Sequence, residues 1–236
     1  RTPIDLDAAR RQHAAYEATL AALGCRVERL EADPAAPDCV FVEDIALLFE
    51  ELAVITRPGA VSRRRETAPV AAALARYRRL EHIAADGTLD GGDVLVAGRR
   101  VFVVLTARTD EAGAASLARA LNPAGYTLST LAVDGVLHLK SAASVVAPGL
   151  LLVDPECVDA AAFAEFDTVA VAAGEGPAAN ALRLAGTVLL PAGFPATRRK
   201  LEERGLAVRS VENAELAKAE GGLTCCSLIF DVPAAA

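Results

Sequence analysis

Three segments of the chain carry hydrophobic residues at every third or fourth position, which is the spacing of an amphipathic helix. These segments cover residues 13–23, 70–77 and 114–121. The first is followed by Gly24 and the third by Pro123, and both residue types commonly end helices. We therefore predict three helices.

Between and after these segments lie short apolar runs that are rich in β-branched residues, as β-strands are. Two tight turns, Ala97-Gly98-Arg99 and Ala185-Gly186-Thr187, have the residues of hairpin connections. The alternation of such runs with helices predicts an α/β fold. The predicted strands cover residues 39–42, 53–56, 94–96, 101–105, 143–146, 150–153, 187–190, 207–211 and 223–230.

A unit made of a strand, a tight turn, a second strand and a helix recurs along the chain. One polar residue stands at the first strand of each unit, and the five positions are separated by 42 to 48 residues. They are Glu43, Asp90, His138, Asn180 and Cys225. This period indicates an array of similar units with one binding face, on which equivalent residues can converge. Doubly wound sheets and TIM barrels rank second, because they use single parallel strands rather than hairpins.

The composition narrows the class of protein further. The chain has 24 Lys and Arg against 31 Asp and Glu, for a net charge of −7, so it is a poor binder of nucleic acid. Charged residues, Pro and Gly interrupt every apolar run before it could span a bilayer, which predicts a soluble protein without a membrane segment. At 236 residues we expect one catalytic domain over positions 1–236.

The five cysteines are odd in number and have no spacing typical of a disulfide framework. We therefore expect reduced thiols and a cytoplasmic location. The chain has three histidines and no paired Cys-x-x-Cys ligands, which argues against a metal site.

Seven motifs, in order along nearly the whole chain, resemble those of the dimethylarginine dimethylaminohydrolase family. They are DCVFVED (38–44), TRPG (56–59), SRRRE (62–66), LDGGDVL (89–95), ART (107–109), LHLK (137–140) and GGLTCCS (221–227). The family belongs to the guanidine-modifying superfamily. The resemblance implies an α/β fold that is a five-bladed, pseudo-symmetric propeller of ββαβ units. In the family an opening strand and a lid precede the first helix, so we expect both to be incomplete at the front of this chain.

The resemblance implies hydrolysis of Nω-methylated L-arginines to L-citrulline and dimethylamine or methylamine. A guanidinium carbon is a poor electrophile, so its substitution needs a strong nucleophile and a proton donor for the departing amine. Cys225 is the expected nucleophile, which forms a covalent thiouronium adduct. His138 would protonate the leaving amine and then deprotonate the hydrolytic water. Asp90 would orient His138 and bind guanidinium N–H groups.

The resemblance also assigns six substrate-binding positions, which are Asp38, Glu43, Asp44, Arg63, Arg108 and Ala219. The three acidic residues would line the pocket, since carboxylates pair well with a guanidinium. The two arginines would hold the substrate α-carboxylate, and the alanine would offer a backbone contact to the amino-acid end. A small zwitterionic molecule is thus the expected partner, and no cofactor is expected.

Two pairs of neighbours raise a geometric question. On a β-strand adjacent side chains point to opposite faces, so Cys225 and Cys226 are predicted to face opposite sides, with Cys226 away from the pocket. By the same rule, Glu43 and Asp44 cannot both point inward along a straight strand.

Three other functions stay open at this point. An arginine deiminase shares the chemistry but typically carries a helical insertion, for which no segment is long enough. An amidinotransferase shares the covalent step. A non-catalytic arginine-binding protein would keep the acidic residues and arginines but would not need Cys225 together with His138. The sequence leaves both a monomer and a homodimer open.

Overall fold

The computed structural model describes residues 2–133, 135 and 137–232. The chain divides into two compact units. The first unit comprises Arg1–Arg29 and Val133–Thr224, and the second comprises Leu30–Ala132 and Cys225–Ala236. The expectation of a single catalytic domain stays a prediction. No helix within the described residues has the length and apolar character needed to cross a bilayer.

The described residues contain five α-helices, and the three helices predicted from periodicity are confirmed. Asp5 and Asp110 cap the N-termini of the first and third helices, since each side chain accepts backbone N–H groups of the first turn. The helices are α1 (Leu6–Ala22), α2 (Thr67–Leu74), α3 (Glu111–Leu121), α4 (Pro195–Glu203) and α5 (Ala214–Ala217).

Twelve strands form four three-stranded sheets in the described part of the chain, two in each unit. The second unit holds β1 (Ala46–Leu48), β2 (Leu52–Ile55), β3 (Arg79–His82), β4 (Val94–Ala97), β5 (Arg100–Val104) and β6 (Thr127–Leu131). The first unit holds β7 (Ala143–Ala147), β8 (Leu150–Val153), β9 (Asp167–Ala170), β10 (Leu182–Leu184), β11 (Thr187–Pro191) and β12 (Ala207–Val211).

All four sheets have the same topology. The first two strands form an antiparallel hairpin, and the third runs parallel to the second. In three sheets an α-helix connects the second strand to the third, and in the β7–β9 sheet the short 3₁₀ helix Ala160–Phe163 takes that place. The predicted ββαβ unit is confirmed. The antiparallel pairs exclude a doubly wound sheet and a TIM barrel.

The hairpin turns follow the predicted chemistry. Gly98 has φ +61° in the two-residue loop between Ala97 and Arg100, and Gly186 has φ +80° in the loop of the β10–β11 hairpin. Glycine adopts these left-handed conformations at little cost in free energy, because it has no Cβ. Ala185 adopts φ +47° beside Gly186, a conformation that costs a residue with a Cβ more.

Helices α3 and α4 each bury one face against strands of their own unit. In the second unit, Leu117 and Leu121 of α3 are fully buried in a cluster with Val101 and Val103 of β5. In the first unit, Leu201 of α4 is buried with the strands of both sheets. Complete burial of one leucine contributes about 1.5–3 kcal/mol, so these contacts hold each helix on its sheet.

Two predicted strands are wrong. Residues 39 and 40 lie in a turn, and Val42 begins the 3₁₀ helix Val42–Ile45. The run at 223–230 contains the 3₁₀ helix Thr224–Cys226 and no strand. In the first case the backbone bonds itself locally, since the Cys39 N–H donates to Ala36 O and the Phe41 N–H to Asp38 O. Local turn bonds of this kind replace a strand ladder, and apolar composition alone does not distinguish the two.

The sequence analysis missed the hairpin strands β1 and β10 and the third strands β3, β6 and β9. Strand β1 is largely buried, but the first strand of its unit was predicted at residues 39–42 instead. Most residues of the missed third strands are half-buried or exposed, so these strands show no apolar run. Pairing to an apolar hairpin, rather than their own composition, makes them strands.

Candidate active site

The five polar repeat positions occupy one kind of local structure. Each lies in or beside a short 3₁₀ turn, and the first four turns lead into the first strand of a sheet, which corrects the prediction that these residues stand on the strands themselves. All five residues are buried. The turns are Val42–Ile45 with Glu43, Gly91–Asp93 after Asp90, Leu139–Ser141 after His138, Gly176–Ala179 before Asn180, and Thr224–Cys226 with Cys225.

The turn at Val42–Ile45 explains how two neighbouring acidic residues are both buried. Glu43 and Asp44 are only 7% and 4% exposed. Strand alternation would send them to opposite faces, whereas successive residues of a 3₁₀ turn are only about 120° apart. The 3₁₀ turn therefore allows both carboxylates to be buried on the same side of the chain.

The carboxylate of Asp44 is bonded by residues of two motifs, LDGGDVL and SRRRE. Its Oδ1 accepts the Gly92 N–H at 3.0 Å, and its Oδ2 accepts Nη1 of Arg63 at 2.5 Å. The two turns approach so closely that a Cβ on Gly91 would lie 2.1 Å from Glu43 O. Glycine is thus required at position 91 of LDGGDVL for the contact between the two turns.

Arg63 directs its guanidinium to groups of the protein itself. It is 8% exposed, and its side chain forms ion pairs with Asp44 and with Glu66. The same group donates to the backbone carbonyls of Asp38 and Phe41. Burial opposes the charge of Arg63, but the hydrogen bonds that Arg63 donates to Glu66 and the charge of Asp44 outweigh it and raise the pKa of Arg63 above its ordinary value.

Asp90 and Arg108 are neighbours in the second unit. Oδ1 of Asp90 accepts the Gly59 N–H at 3.0 Å, and Oδ2 lies 3.9 Å from Nε of Arg108. Asp90 is 1% exposed, whereas the Arg108 side chain is 37% exposed. A Cβ on Gly59 would lie 2.5 Å from the Arg108 Cα, so the TRPG and ART motifs pack directly on each other. Arg108 thus keeps part of its side chain accessible to a ligand.

Threonine hydroxyls fix the loop that carries Arg108. Thr109 Oγ1 accepts the Asp90 N–H at 3.1 Å and donates to Asp93 Oδ2 at 2.6 Å. Thr106 Oγ1 donates to the same carboxylate oxygen at 2.8 Å. Asp93 therefore anchors the loop on both sides of Arg108.

The two adjacent cysteines differ in environment, although not for the reason predicted. They lie in the 3₁₀ helix Thr224–Cys226, so the strand rule that separated them does not apply. Cys225 is 9% exposed. Burial, together with the negative charge of Glu43, raises the pKa of the Cys226 thiol to about 12. Cys226 is therefore a neutral thiol at neutral pH and a poor nucleophile.

The remaining predicted residues lie in three places. His138 is buried in the first unit, directly before the turn Leu139–Ser141. Ala219 is half-buried in the same unit, where its N–H donates to Leu216 O just after α5. The side chain of Asp38 is in an exposed position of the second unit.

Several residues of this neighbourhood were not singled out from the sequence. Glu66 pairs with Arg63 across three positions, and this i,i+3 spacing within SRRRE is a signal that could have identified it. Thr109 and the glycines of LDGGDVL act through backbone contacts between distant segments. Nothing in a single sequence reveals such contacts.

No protein-family model matches the chain. It is 39% identical over 233 residues to the N(G),N(G)-dimethylarginine dimethylaminohydrolase of Streptomyces coelicolor, covering 97% of this chain and 88% of the relative. It is 35% identical over 221 residues to the enzyme of that name from Pseudomonas aeruginosa, covering 93% and 87%.

The structure is also similar to a solved one. A cysteine-to-serine variant of the Pseudomonas aeruginosa enzyme, complexed with citrulline, superposes with a TM-score of 0.92 at 34% identity, covering 96% of this chain and 90% of the other. This match confirms the predicted fold class, the α/β propeller of the guanidine-modifying superfamily. Sequence and structure agree over nearly the full length, and the chain belongs to the dimethylarginine dimethylaminohydrolase family.

Proposed function

We propose that the protein hydrolyses Nω-methylated L-arginines to L-citrulline and dimethylamine or methylamine through a covalent Cys225 adduct. The observation that carries the proposal is the full-length match to enzymes named for this reaction, one of which is solved with the product citrulline. The buried repeat residues supply the types of group that the reaction needs: acidic groups, an imidazole and a thiol.

The first step joins Cys225 to the substrate. The thiolate attacks the guanidinium carbon, and a bond forms between Sγ and that carbon. The bond from the carbon to the methylated nitrogen then breaks. The product of this step is a thiouronium adduct and one molecule of amine. The neutral state of Cys226 supports the choice of Cys225 as the thiolate.

His138 moves the protons of both steps. In the first it donates a proton to the departing amine, because an amine anion is too basic to leave unprotonated. In the second it removes a proton from the water that attacks the adduct. The carbon–sulfur bond breaks, the thiolate is regenerated, and the added oxygen becomes the carbonyl of citrulline. In the proposed triad Asp90 orients His138.

The negative end of the proposed pocket is formed by Asp38, Glu43, Asp44 and Asp90. Buried carboxylates are strong partners for the N–H groups of a guanidinium, because both partners lose water together and the hydrogen bonds are charge-assisted. The burial of the last three residues supports this role. Asp38 lies at an exposed position, and its contact with the substrate stays a prediction.

The positive end of the proposed pocket receives the substrate α-carboxylate. Arg108 is the better supported of the two arginines, because its side chain is partly accessible. The contacts of Arg63 support an indirect contribution, in which it fixes the carboxylate of Asp44, and its direct contact with substrate stays a prediction. Ala219 is proposed to offer its backbone to the amino-acid end.

Replacing Arg108 by alanine is expected to raise KM for asymmetric dimethylarginine about tenfold to several hundredfold, because a charge-assisted contact contributes a few kcal/mol. Agmatine lacks the α-carboxylate and should be a poor substrate of the unaltered enzyme. Steady-state kinetics on both compounds would test this. Arg119→Ala, on an exposed position of α3, is the matched control and should leave KM unchanged. Equal turnover of agmatine and the matching amino acid would refute the placement.

The substrate class is tested by offering arginine, monomethylarginine and asymmetric dimethylarginine side by side. We expect citrulline with methylamine or dimethylamine from the two methylated compounds, measured by chromatography of both products. Release of ammonia from arginine at the highest rate would instead identify an arginine deiminase-like enzyme. Binding of all three compounds without any product would identify a non-catalytic binding protein.

Three expectations about the protein's surroundings are also proposed rather than tested. They are a cytoplasmic location, activity without a cofactor or metal, and assembly as a homodimer. The acidic net charge of −7 supports a small-molecule partner rather than nucleic acid.

A further inference from the structure

Asn180 stands at the fourth polar repeat position, yet it has no role in the proposed reaction. Its carboxamide cannot donate or accept a proton at neutral pH as a carboxyl, imidazole or thiol can. It is 5% exposed and directly follows the turn Gly176–Ala179, in the same local structure as the other repeat residues. Its contacts are the clue to what it does.

Both polar atoms of the Asn180 carboxamide are bound within the first unit. Oδ1 accepts the backbone N–H of Thr224 at 3.0 Å, and Nδ2 donates to Thr224 Oγ1 at 3.0 Å. Nδ2 also donates to the backbone carbonyl of Lys140 at 3.0 Å. One side chain thus joins two segments that are 84 residues apart in sequence.

The two bonded segments are those that carry the proposed reacting groups. Thr224 is bonded covalently to Cys225, so fixing its N–H and hydroxyl fixes the start of the turn that presents the thiol. Lys140 lies in the turn Leu139–Ser141, which begins immediately after His138. The carboxamide is suited to this task, since it offers donors and an acceptor without a charge that would need a buried counterion.

Gly222 completes the arrangement. A Cβ at Gly222 would lie 2.2 Å from Cγ of Asn180, so the backbone before Thr224 rests directly against the carboxamide. Only glycine leaves room for this contact. The carboxamide is therefore restrained by packing as well as by its hydrogen bonds.

We propose that Asn180 is a positioning residue of the reaction, which fixes the backbone next to the nucleophile Cys225 and the turn next to the general acid–base His138. The inference rests on the proposed function, because it takes Cys225 and His138 as the reacting residues. Asn180 touches neither the substrate nor the reacting atoms in this role. Small displacements of reacting groups are costly, since about 1 Å of misplacement lowers a rate about 100-fold.

The test compares Asn180→Ala with Thr197→Val. Thr197 is a suitable control because it is fully buried in the same unit and its hydroxyl accepts the Ala172 N–H at 2.9 Å, a bond that involves none of Asn180, Thr224 and Lys140. We expect Asn180→Ala to lower kcat for asymmetric dimethylarginine about 10- to 100-fold with KM within about threefold of the parent. Thr197→Val should lower the melting temperature but keep kcat. Equal kcat in the two variants, corrected for folded fraction, would overturn the proposal.

A milder variant keeps the proposal testable if Asn180→Ala does not fold. Thr224→Val loses only the hydroxyl contact to the carboxamide and introduces no charge. It should lower kcat by a few-fold at unchanged KM. Parent-like kcat in this variant would overturn the proposal.

A double-mutant cycle with Gly222→Ala isolates the contact itself. Gly222→Ala should lower kcat like Asn180→Ala, because the new methyl group displaces the carboxamide. In the Asn180→Ala background it should cost little more, since the atoms that it strikes are gone. Fully additive losses would contradict the proposal. Cys225→Ser, assayed in parallel, distinguishes failure of the proposed function from failure of the positioning role. If Cys225→Ser retains turnover, the proposed site is refuted. If Cys225→Ser is inactive and the Asn180 variants keep the parent kcat, only the positioning role is refuted.

Discussion

Replacing Cys225 by serine is expected to lower kcat for asymmetric dimethylarginine by at least about 10³-fold. The serine hydroxyl does not ionise near neutral pH and is a far weaker nucleophile than a thiolate, so the covalent step would be lost. Substrate binding should persist, because serine has nearly the shape of cysteine. Single-turnover kinetics and a binding isotherm for the variant measure the two effects separately.

The adjacent cysteine provides the matched control. Cys226→Ser should leave most of the turnover, because the neutral Cys226 thiol beside Glu43 is not a thiolate at working pH. A modest loss of thermal stability is expected from a more polar group in this half-buried place. The control compares the reactivity of the Cys225 thiol with that of its sequence neighbour, Cys226.

Mass spectrometry identifies the reacting cysteine directly. After treatment with an electrophilic amidine, the peptide spanning both cysteines should carry one adduct, on Cys225. The Cys225→Ser variant should carry none. An adduct on Cys226 in the parent protein, or abolished turnover in Cys226→Ser with Cys225 intact, would contradict the assignment of Cys225 as the nucleophile.

Replacing His138 by alanine is expected to lower kcat for asymmetric dimethylarginine about 10²- to 10⁴-fold, the usual contribution of general acid–base catalysis. Both chemical steps would lose their proton carrier. His82→Ala is the matched control, since His82 is exposed on β3 and should not affect kcat. Steady-state kinetics on both variants provide the comparison.

A substrate with a different leaving group distinguishes the role of His138 as a proton donor from its role as a base. S-methyl-L-thiocitrulline releases a thiol, which needs no proton donor to depart, so His138→Ala should still form the adduct with it. Hydrolysis of that adduct needs the base and should be slow. We therefore expect the variant to accumulate a covalent adduct that mass spectrometry detects. Rapid turnover of this compound by His138→Ala would show that another group activates water.

Helices and strands could be predicted from the sequence where their hydrophobic pattern was strong. Helix α3 and the hairpin strands β5 and β8 are buried along most of their length, and their apolar runs placed them within a few residues. Strand β3 has no buried residue and was missed, because the parallel partner β2 determines its conformation. Apolar runs thus located most of the buried strands and few of the exposed ones, with the buried β1 missed and the largely exposed β12 found.

The candidate site shows a similar division. The repeat period selected Glu43, Asp90, His138, Asn180 and Cys225 as equivalent, and the structure gives all five the same setting beside a 3₁₀ turn. Their backbone conformation was predicted incorrectly, because an apolar neighbourhood suggested strands. Turns stabilised by local hydrogen bonds and by side chains from distant segments leave no comparable pattern in one sequence.

By itself the sequence determined the α/β class, the ββαβ repeat, the polar residue of each repeat and the chemistry that those residue types permit. Residue type and spacing carry this information, because apolar periodicity and nucleophile or acid–base character are properties of individual positions. Only the tertiary structure decided that Arg63 pairs with Asp44, that burial together with the charge of Glu43 keeps Cys226 neutral, and that the Asn180 carboxamide joins Thr224 to Lys140. These contacts depend on distances between residues far apart in sequence, and the packing of turns against one another determines those distances.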